Sequence, residues 1–205
     1  MHGLLGRLAV HRPLFHSEAD FQHALAWLIH TENPDAQIRL ETRPERGIRL
    51  DLFVGVGDER IAIELKYLVA RFEGFVNGEK FDLPNRAAHD ISRHDFVKDI
   101  TRVERFVADG IAHSGWAIAL SNDGGYWRQG LKADPIDAMF RISESSALQG
   151  TRSWGVLAGA GTTRKREEPL VLRGAYRCEW QAYSTIPAAS GKPKEFRYLA
   201  FEVTS

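Results

Sequence analysis

Cys178 is the only cysteine in the 205 residues, so an internal disulfide is excluded and the fold must rest on a packed core. Neither sign of charge is in excess, with 27 basic residues against 27 acidic ones, so composition gives no general attraction to a polyanion. Any phosphate contact has to come from local clustering. Long apolar runs are also missing. No stretch nears the roughly 18 residues that span a bilayer, and the amino terminus, MHGLLGRLAVHR, lacks an apolar run of signal-peptide length. With the single cysteine, this leads to the expectation of a cytoplasmic protein. Phosphate-cradling Walker sequences, nucleophile elbows, internal repeats and low-complexity segments do not occur. The eight histidines show no metal-binding spacing: His11 and His16, like His89 and His94, are five apart. His94 reads as a helix-surface residue.

What is present is a globular composition, 43% hydrophobic and 26% charged, enough for one domain with a substantial core. Its most informative stretch is Ile48 to Tyr67, IRLDLFVGVGDERIAIELKY. Two β-branched runs flank Gly57-Asp58, a dipeptide that closes two-residue hairpins. With that turn, opposed residues sum to 115. Leu50 then faces Leu65, Leu52 faces Ile63 and Val54 faces Ile61, an apolar face that a one-residue slip would destroy. On the other face Asp51 stands opposite Glu64, with Lys66 two residues on. Directly opposed carboxylates repel, and a divalent cation offsets that repulsion. A lysine beside them can stabilise charge developing on an attacked phosphate.

Asp51, followed after twelve residues by Glu64-Leu65-Lys66, resembles the signature of the PD-(D/E)XK nucleases, the restriction-endonuclease-like superfamily. The motif's proline is replaced by Leu50. The resemblance implies an α/β fold, a restriction-endonuclease-like mixed central sheet flanked by helices. It covers residues of about 15–121 in a single domain, 1–205. Residues 122–205 are expected to add a helix and additional C-terminal β-strands. It further implies that Asp51, Glu64 and the Leu65 carbonyl bind Mg²⁺, for which Mn²⁺ can substitute, and that Lys66 assists the attacking water. The activity implied is phosphodiester hydrolysis by an endonuclease of restriction or repair type. DNA is favoured over RNA as partner, and a homodimer is a further expectation. The alternatives are a catalytically silent scaffold that binds nucleic acid or regulates, and a strand-rich protein whose hairpin only mimics the motif.

Upstream, Ser17 reads as a helix N-cap with Asp20 three residues on, and Phe21, Leu25, Leu28 and Ile29 form the inward stripe of a helix that stops before Pro34. Glu18 lies on that stripe. It is either a first-turn glutamate favoured by the helix dipole or, as the family implies, an acid at the metal. Gln37 to Thr42 is an expected strand, and Arg39, Arg43, Arg46 and Arg49 follow as a basic lip. Arg49 then faces Lys66, which requires an acid or a phosphate between them.

Asn77-Gly78 predicts a small hairpin of Phe72 to Val76 and Glu79 to Leu83. Ala87 to Ala108 predicts a helix that buries Ile91, Phe96, Val97, Ile100, Val103 and Val107. Lys98, Arg102 and Arg105 interleave there with Asp95, Asp99 and Glu104 as an exposed salt-bridged face. Trp116 to Ser121 is an expected strand, and Asp134-Pro135 is expected to open a helix to about Ser146. Further strands are expected over Trp154 to Ala158, Leu170 to Tyr183 and Phe196 to Val203. Arg164-Lys165-Arg166 is read as a basic loop near the Gly-rich residues 155 to 161.

Overall fold

A computed structural model describes residues 1–45, 47–85, 88–130, 134–187 and 193–204. The expected Arg46 and Ala87 positions lie outside the described residues. Two helices open the chain, α1 (His2–His11) and α2 (Glu18–Glu32). The Ser17 side chain caps α2 by accepting from the Asp20 amide, as its spacing predicts.

Strands β1 (Gln37–Glu45), β2 (Ile48–Val56) and β3 (Glu59–Leu68) follow, then the β4 (Phe72–Val76) and β5 (Glu79–Leu83) hairpin. Helix α3 (His89–Ala108) crosses over to β6 (Ser114–Ser121), which runs parallel to β3. Strands β7 (Ala147–Arg152) and β8 (Leu170–Arg177), separated by the one-turn helix α4 (Ala160–Thr163), form their own ribbon. Then come β9 (Gln181–Ile186) and β10 (Lys194–Thr204). The central sheet has the order β1-β2-β3-β6-β10-β9, parallel between β3 and β6 and antiparallel elsewhere. The expected mixed sheet is therefore present. Two of its six strands, β9 and β10, come from the segment anticipated as an extension.

Alternation along the strands feeds two cores. Leu52, Val54, Ile63, Leu65, Ile118 and Leu120 pack under α1 and α2 with Phe21, Leu25 and Ile29. On the opposite face α3 buries Phe96, Val97, Ile100 and Val103. The strand residues beneath it are small: Ala62, Gly115, Ala117 and Ala119. They let the helix lie close. A Cβ on Gly115 would fall 2.3 Å from Val103 Cγ1 and 2.8 Å from the Ala62 carbonyl oxygen. Gly115→Ala is expected to cost about 1–3 kcal/mol through overpacking, read as a lower urea midpoint. An unchanged midpoint would show that α3 does not press on β6 there.

Three expectations fail for tertiary reasons. Asp134 to Ser146 is not a helix but a loop with a 3-10 turn at Ala138–Phe140. Asp137 is claimed there by Arg93 and Arg141, and Ser145 has φ +65°, which no α-helix holds. Trp154 to Ala158 is not a strand. Trp154 stacks on His94 with centroids 5.3 Å apart and donates its indole N–H to the Arg166 carbonyl. Leu170 to Tyr183 is two strands, because Cys178 and Trp180 leave the ladder to bond Ser146 and Glu144. The strand β7 was not anticipated, since its ALQGTR sequence carries Gly150 at φ +63°.

Side-chain placements also differ from expectation. His94 is buried, not on the surface of α3. The acids of α3 do not form an exposed face: Asp99 and Glu104 are 3% and 4% exposed. Arg166 of the basic loop is committed to Asp95 through two bonds of 2.8 and 2.9 Å. Among the described residues no helix is long and apolar enough to cross a membrane.

Candidate active site

The hairpin register from Val56–Glu59 to Leu52–Ile63 is the one that Gly57-Asp58 predicts. There the β2–β3 pairing ends. The β1–β2 ladder also skips a pair, passing from Leu40–Leu52 to Thr42–Leu50, and Glu41 between them takes φ +54°. Such a backbone is uncommon for a residue with a Cβ and marks a distortion held by its surroundings. Leu50 is consequently on the other side from Leu52, packing with Val103 and Phe106 beneath α3. The expected pair of Leu50 against Leu65 does not form, and Asp51 and Glu64 do not form a ladder pair.

The distortion opens the edge of β3 where β2 departs. Two amides of β3 are left facing the gap, and carboxylates take both. Leu65 N–H donates to Asp51 Oδ2 at 2.7 Å, and Tyr67 N–H donates to Glu18 Oε2 at 2.8 Å. Glu18 reaches this edge because Ser17 starts α2 directly over it. Gln22, one turn further along α2, donates to the Asp51 carbonyl at 2.6 Å and to Glu41 Oε1 at 3.1 Å. Arg49 pairs with Glu41 at 3.0 Å, so an acid does answer its charge.

Glu64 and Lys66 project toward α3. Lys66 Nζ lies 2.6 Å from Asp99 Oδ2 and 3.2 Å from the Leu65 carbonyl oxygen. Arg102 holds Asp99 at 2.9 Å and stands 3.7 Å from Glu64 Oε1, a buried oxygen with no hydrogen-bond partner. The four expected residues Glu18, Asp51, Glu64 and Lys66 are thus brought together, with the Leu65 carbonyl among them. Sequence reasoning missed Gln22, Asp99 and Arg102 as members. A signal existed for Gln22, a lone polar side chain one turn from Glu18 on an otherwise apolar stripe. None existed for Asp99, whose α3 neighbours suggested surface pairing.

The cluster sets four carboxylates, Glu18, Asp51, Glu64 and Asp99, against two cations, Lys66 and Arg102. Burial, reinforced by the Glu18 and Asp99 charges, raises the Asp51 carboxyl from its ordinary 3.8 to about 6. Burial and the Asp99 and Asp51 charges push Glu64 far above the carboxylate range. Asp99 is raised too, by burial that outweighs Lys66. For Lys66, burial alone would lower the pKa, but Asp99 and Glu18 outweigh it and hold the ammonium above its ordinary value.

A pH dependence follows. Asp51 binds its proton more tightly in the fold than in the unfolded chain. Stability from this group is therefore full below about pH 4 and is lost as pH rises through about 6. Relative to wild type, Asp51→Asn is expected to gain about 1–3 kcal/mol between pH 4 and pH 8, measured by urea unfolding without divalent cations. A difference that is constant with pH would contradict the raised Asp51 carboxyl.

An excess of buried oxygen donors, one of them orphaned, matches the chemistry of a hard divalent cation. Among the described residues, however, no three His, Cys, Asp or Glu side chains already stand together as a metal site. Fold and site define a mixed α/β protein with a buried carboxylate–lysine cluster at a sheet opening. Comparison with protein-family models, curated proteins and solved structures finds no match for this chain.

Proposed function

We propose that the protein is a Mg²⁺-dependent nuclease that hydrolyses phosphodiester bonds with water as nucleophile. The observation that carries this is the opened edge of β3. It brings Glu18, Asp51, Glu64, the Leu65 carbonyl and Lys66 to one place with carboxylates in excess. Asp51, Glu64 and the Leu65 carbonyl would hold the cation, with Glu18 beside them. A Mg²⁺ ion held there would supply positive charge to offset the acids and Lewis-acid polarisation of the scissile phosphate.

The protein's own groups do the rest. Lys66 stays a firm ammonium under the carboxylates around it, so it orients water and answers the negative charge that builds on the phosphoryl oxygens rather than accepting a proton. Asp99 fixes the Lys66 side chain from α3, and Gln22 fixes the Asp51 backbone from α2. The Asp51 and Glu18 carboxylates each serve one amide, of Leu65 and Tyr67, with one oxygen and keep the second oxygen for other bonds. DNA is the favoured substrate over RNA by the family resemblance alone, and a homodimer would supply a second site for a second strand.

The silent scaffold is the second reading. It is favoured by the engagement of Lys66 with Asp99, 2.6 Å away. Titration of Mg²⁺ and Mn²⁺, followed by incubation with supercoiled, linear and single-stranded DNA and with RNA, separates the two readings. Metal binding with EDTA-sensitive cleavage supports the nuclease. Absence of metal binding in wild type rejects it.

A further inference from the structure

A second concave site lies away from the carboxylate cluster, beyond the carboxyl end of β6, where the loop of Asn122 to Gly130 meets the first turns of α3. It is a cavity of about 660 Å³ whose lining includes none of Glu18, Asp51, Glu64, Lys66 or Asp99. Its floor is built on two guanidiniums. Arg93, 4% exposed, donates to Asp137 and to the Gly125 carbonyl, the latter at 2.6 Å, and its Nε has no hydrogen-bond partner. Arg141 reaches the same Asp137 at 3.1 Å. Exposed Arg128 stands at the rim.

Glycines let these groups lie against the backbone. A Cβ on Gly130 would fall 2.7 Å from Arg141 Nη1, and one on Gly124 would fall 3.0 Å from Arg128. Beside them His89 is held at 2.7 Å by Asp123, whose other oxygen takes the Gly125 amide at 2.8 Å. The opening of α3 has no side-chain cap, and its residues His89 and Asp90 line the cavity.

Among the described residues, Asp137 is the one carboxylate bonded to the Arg93 and Arg141 guanidiniums. Asp90 and Asp134 also line the site; the Asp90 oxygens bond the Ile91 amide and the Thr162 hydroxyl, and Asp134 is exposed like Arg128. Burial and the Arg141 charge lower the Arg93 pKa despite Asp137. A buried cation left under-compensated is stabilised by an incoming anion, and forked guanidiniums suit phosphate oxygens. The space is that of a small-molecule pocket, well beyond a lone anion.

We propose that this cavity binds a phosphate monoester of nucleotide size, its phosphate on Arg93, Arg141 and Arg128. The ligand is either a free nucleotide or the phosphorylated end of a strand. Binding does not depend on the carboxylate cluster, so the two assignments fail separately.

The test uses the full chain in EDTA. Inorganic phosphate, a nucleoside 5′-monophosphate, the matching nucleoside, and an oligonucleotide with a 5′-phosphate or a 5′-hydroxyl are titrated by calorimetry. Wild type is compared with Arg141→Gln and Arg128→Gln. Phosphate and the monophosphate should bind and the nucleoside should not. Arg141→Gln should weaken the monophosphate by about tenfold or more, and Arg128→Gln by a smaller factor. Arg128 is exposed, so its variant remains informative if Arg141→Gln does not fold. Preference for the 5′-phosphorylated oligonucleotide over the monophosphate identifies a strand end, and the reverse identifies a free nucleotide. Absence of binding by both phosphate and monophosphate, or equal affinity in wild type and a folded variant, overturns the proposal.

Discussion

Lys66→Ala is expected to lower metal-dependent phosphodiester cleavage by about 10²–10³-fold or more, the usual loss when one preorganised charge is removed from an acyl or phosphoryl transfer site. The ammonium is the one positive group on β3 within the opening. Arg102, the other cation, is spent on Asp99 at 2.9 Å and stands 3.7 Å from Glu64. The substitution also leaves Asp99 without its 2.6 Å partner. Breaking a buried pair commonly costs about 3–5 kcal/mol, and the lower end applies because Arg102 remains. Circular dichroism and Mg²⁺ titration on the variant separate lost chemistry from lost fold. Asp51→Ala should abolish cleavage as well, through loss of a cation ligand. Undiminished metal-dependent cleavage by folded Lys66→Ala or Asp51→Ala would end the nuclease assignment.

Glu104→Ala should destabilise the protein by about 2–4 kcal/mol without touching the carboxylate–lysine cluster. The Glu104 carboxylate is 4% exposed and accepts from the Arg173 amide at 3.0 Å, the Gly174 amide at 2.7 Å and the Tyr176 hydroxyl at 2.8 Å. It fastens β8, and with it the β7–β8 ribbon, onto α3. Each buried donor left without a partner costs about 1–3 kcal/mol, reduced where water enters. Water has room to enter, since a cavity of about 380 Å³ adjoins these residues. Glu104→Gln keeps one acceptor oxygen and should lie between wild type and alanine. Urea midpoints give the order, and hydrogen exchange at the Arg173 and Gly174 amides gives the place. Equal midpoints for Glu104→Ala and wild type would show that the ribbon is held by its apolar contacts alone.

The sequence by itself determined what local chemistry can determine. Ser17 and Asp20 start α2, Gly57-Asp58 and Asn77-Gly78 close their hairpins, and apolar spacing marks α3. Each depends on neighbours a few residues apart, so the residue types specify it. The same spacing put Glu64 and Lys66 on one side of β3 and Glu18 on the inward stripe of α2.

Only the tertiary structure decided how these residues meet. Alternation predicts a straight β2 with Asp51 across from Glu64. The distortion at Glu41 and Asp51 instead sends Leu50 beneath α3 and leaves the Asp51 carboxylate bonding a β3 amide. Asp99 and Glu104 read as surface acids because α3 carries matching bases at pairing distance. They are buried because Lys66 and the Arg173–Tyr176 strand supply partners from distant parts of the chain. Asp134 to Ser146 has helix-starting residues and no helix, since Arg93 and Arg141 hold Asp137. In each case a contact between residues far apart in sequence outweighs a local preference worth a fraction of a kcal/mol per residue.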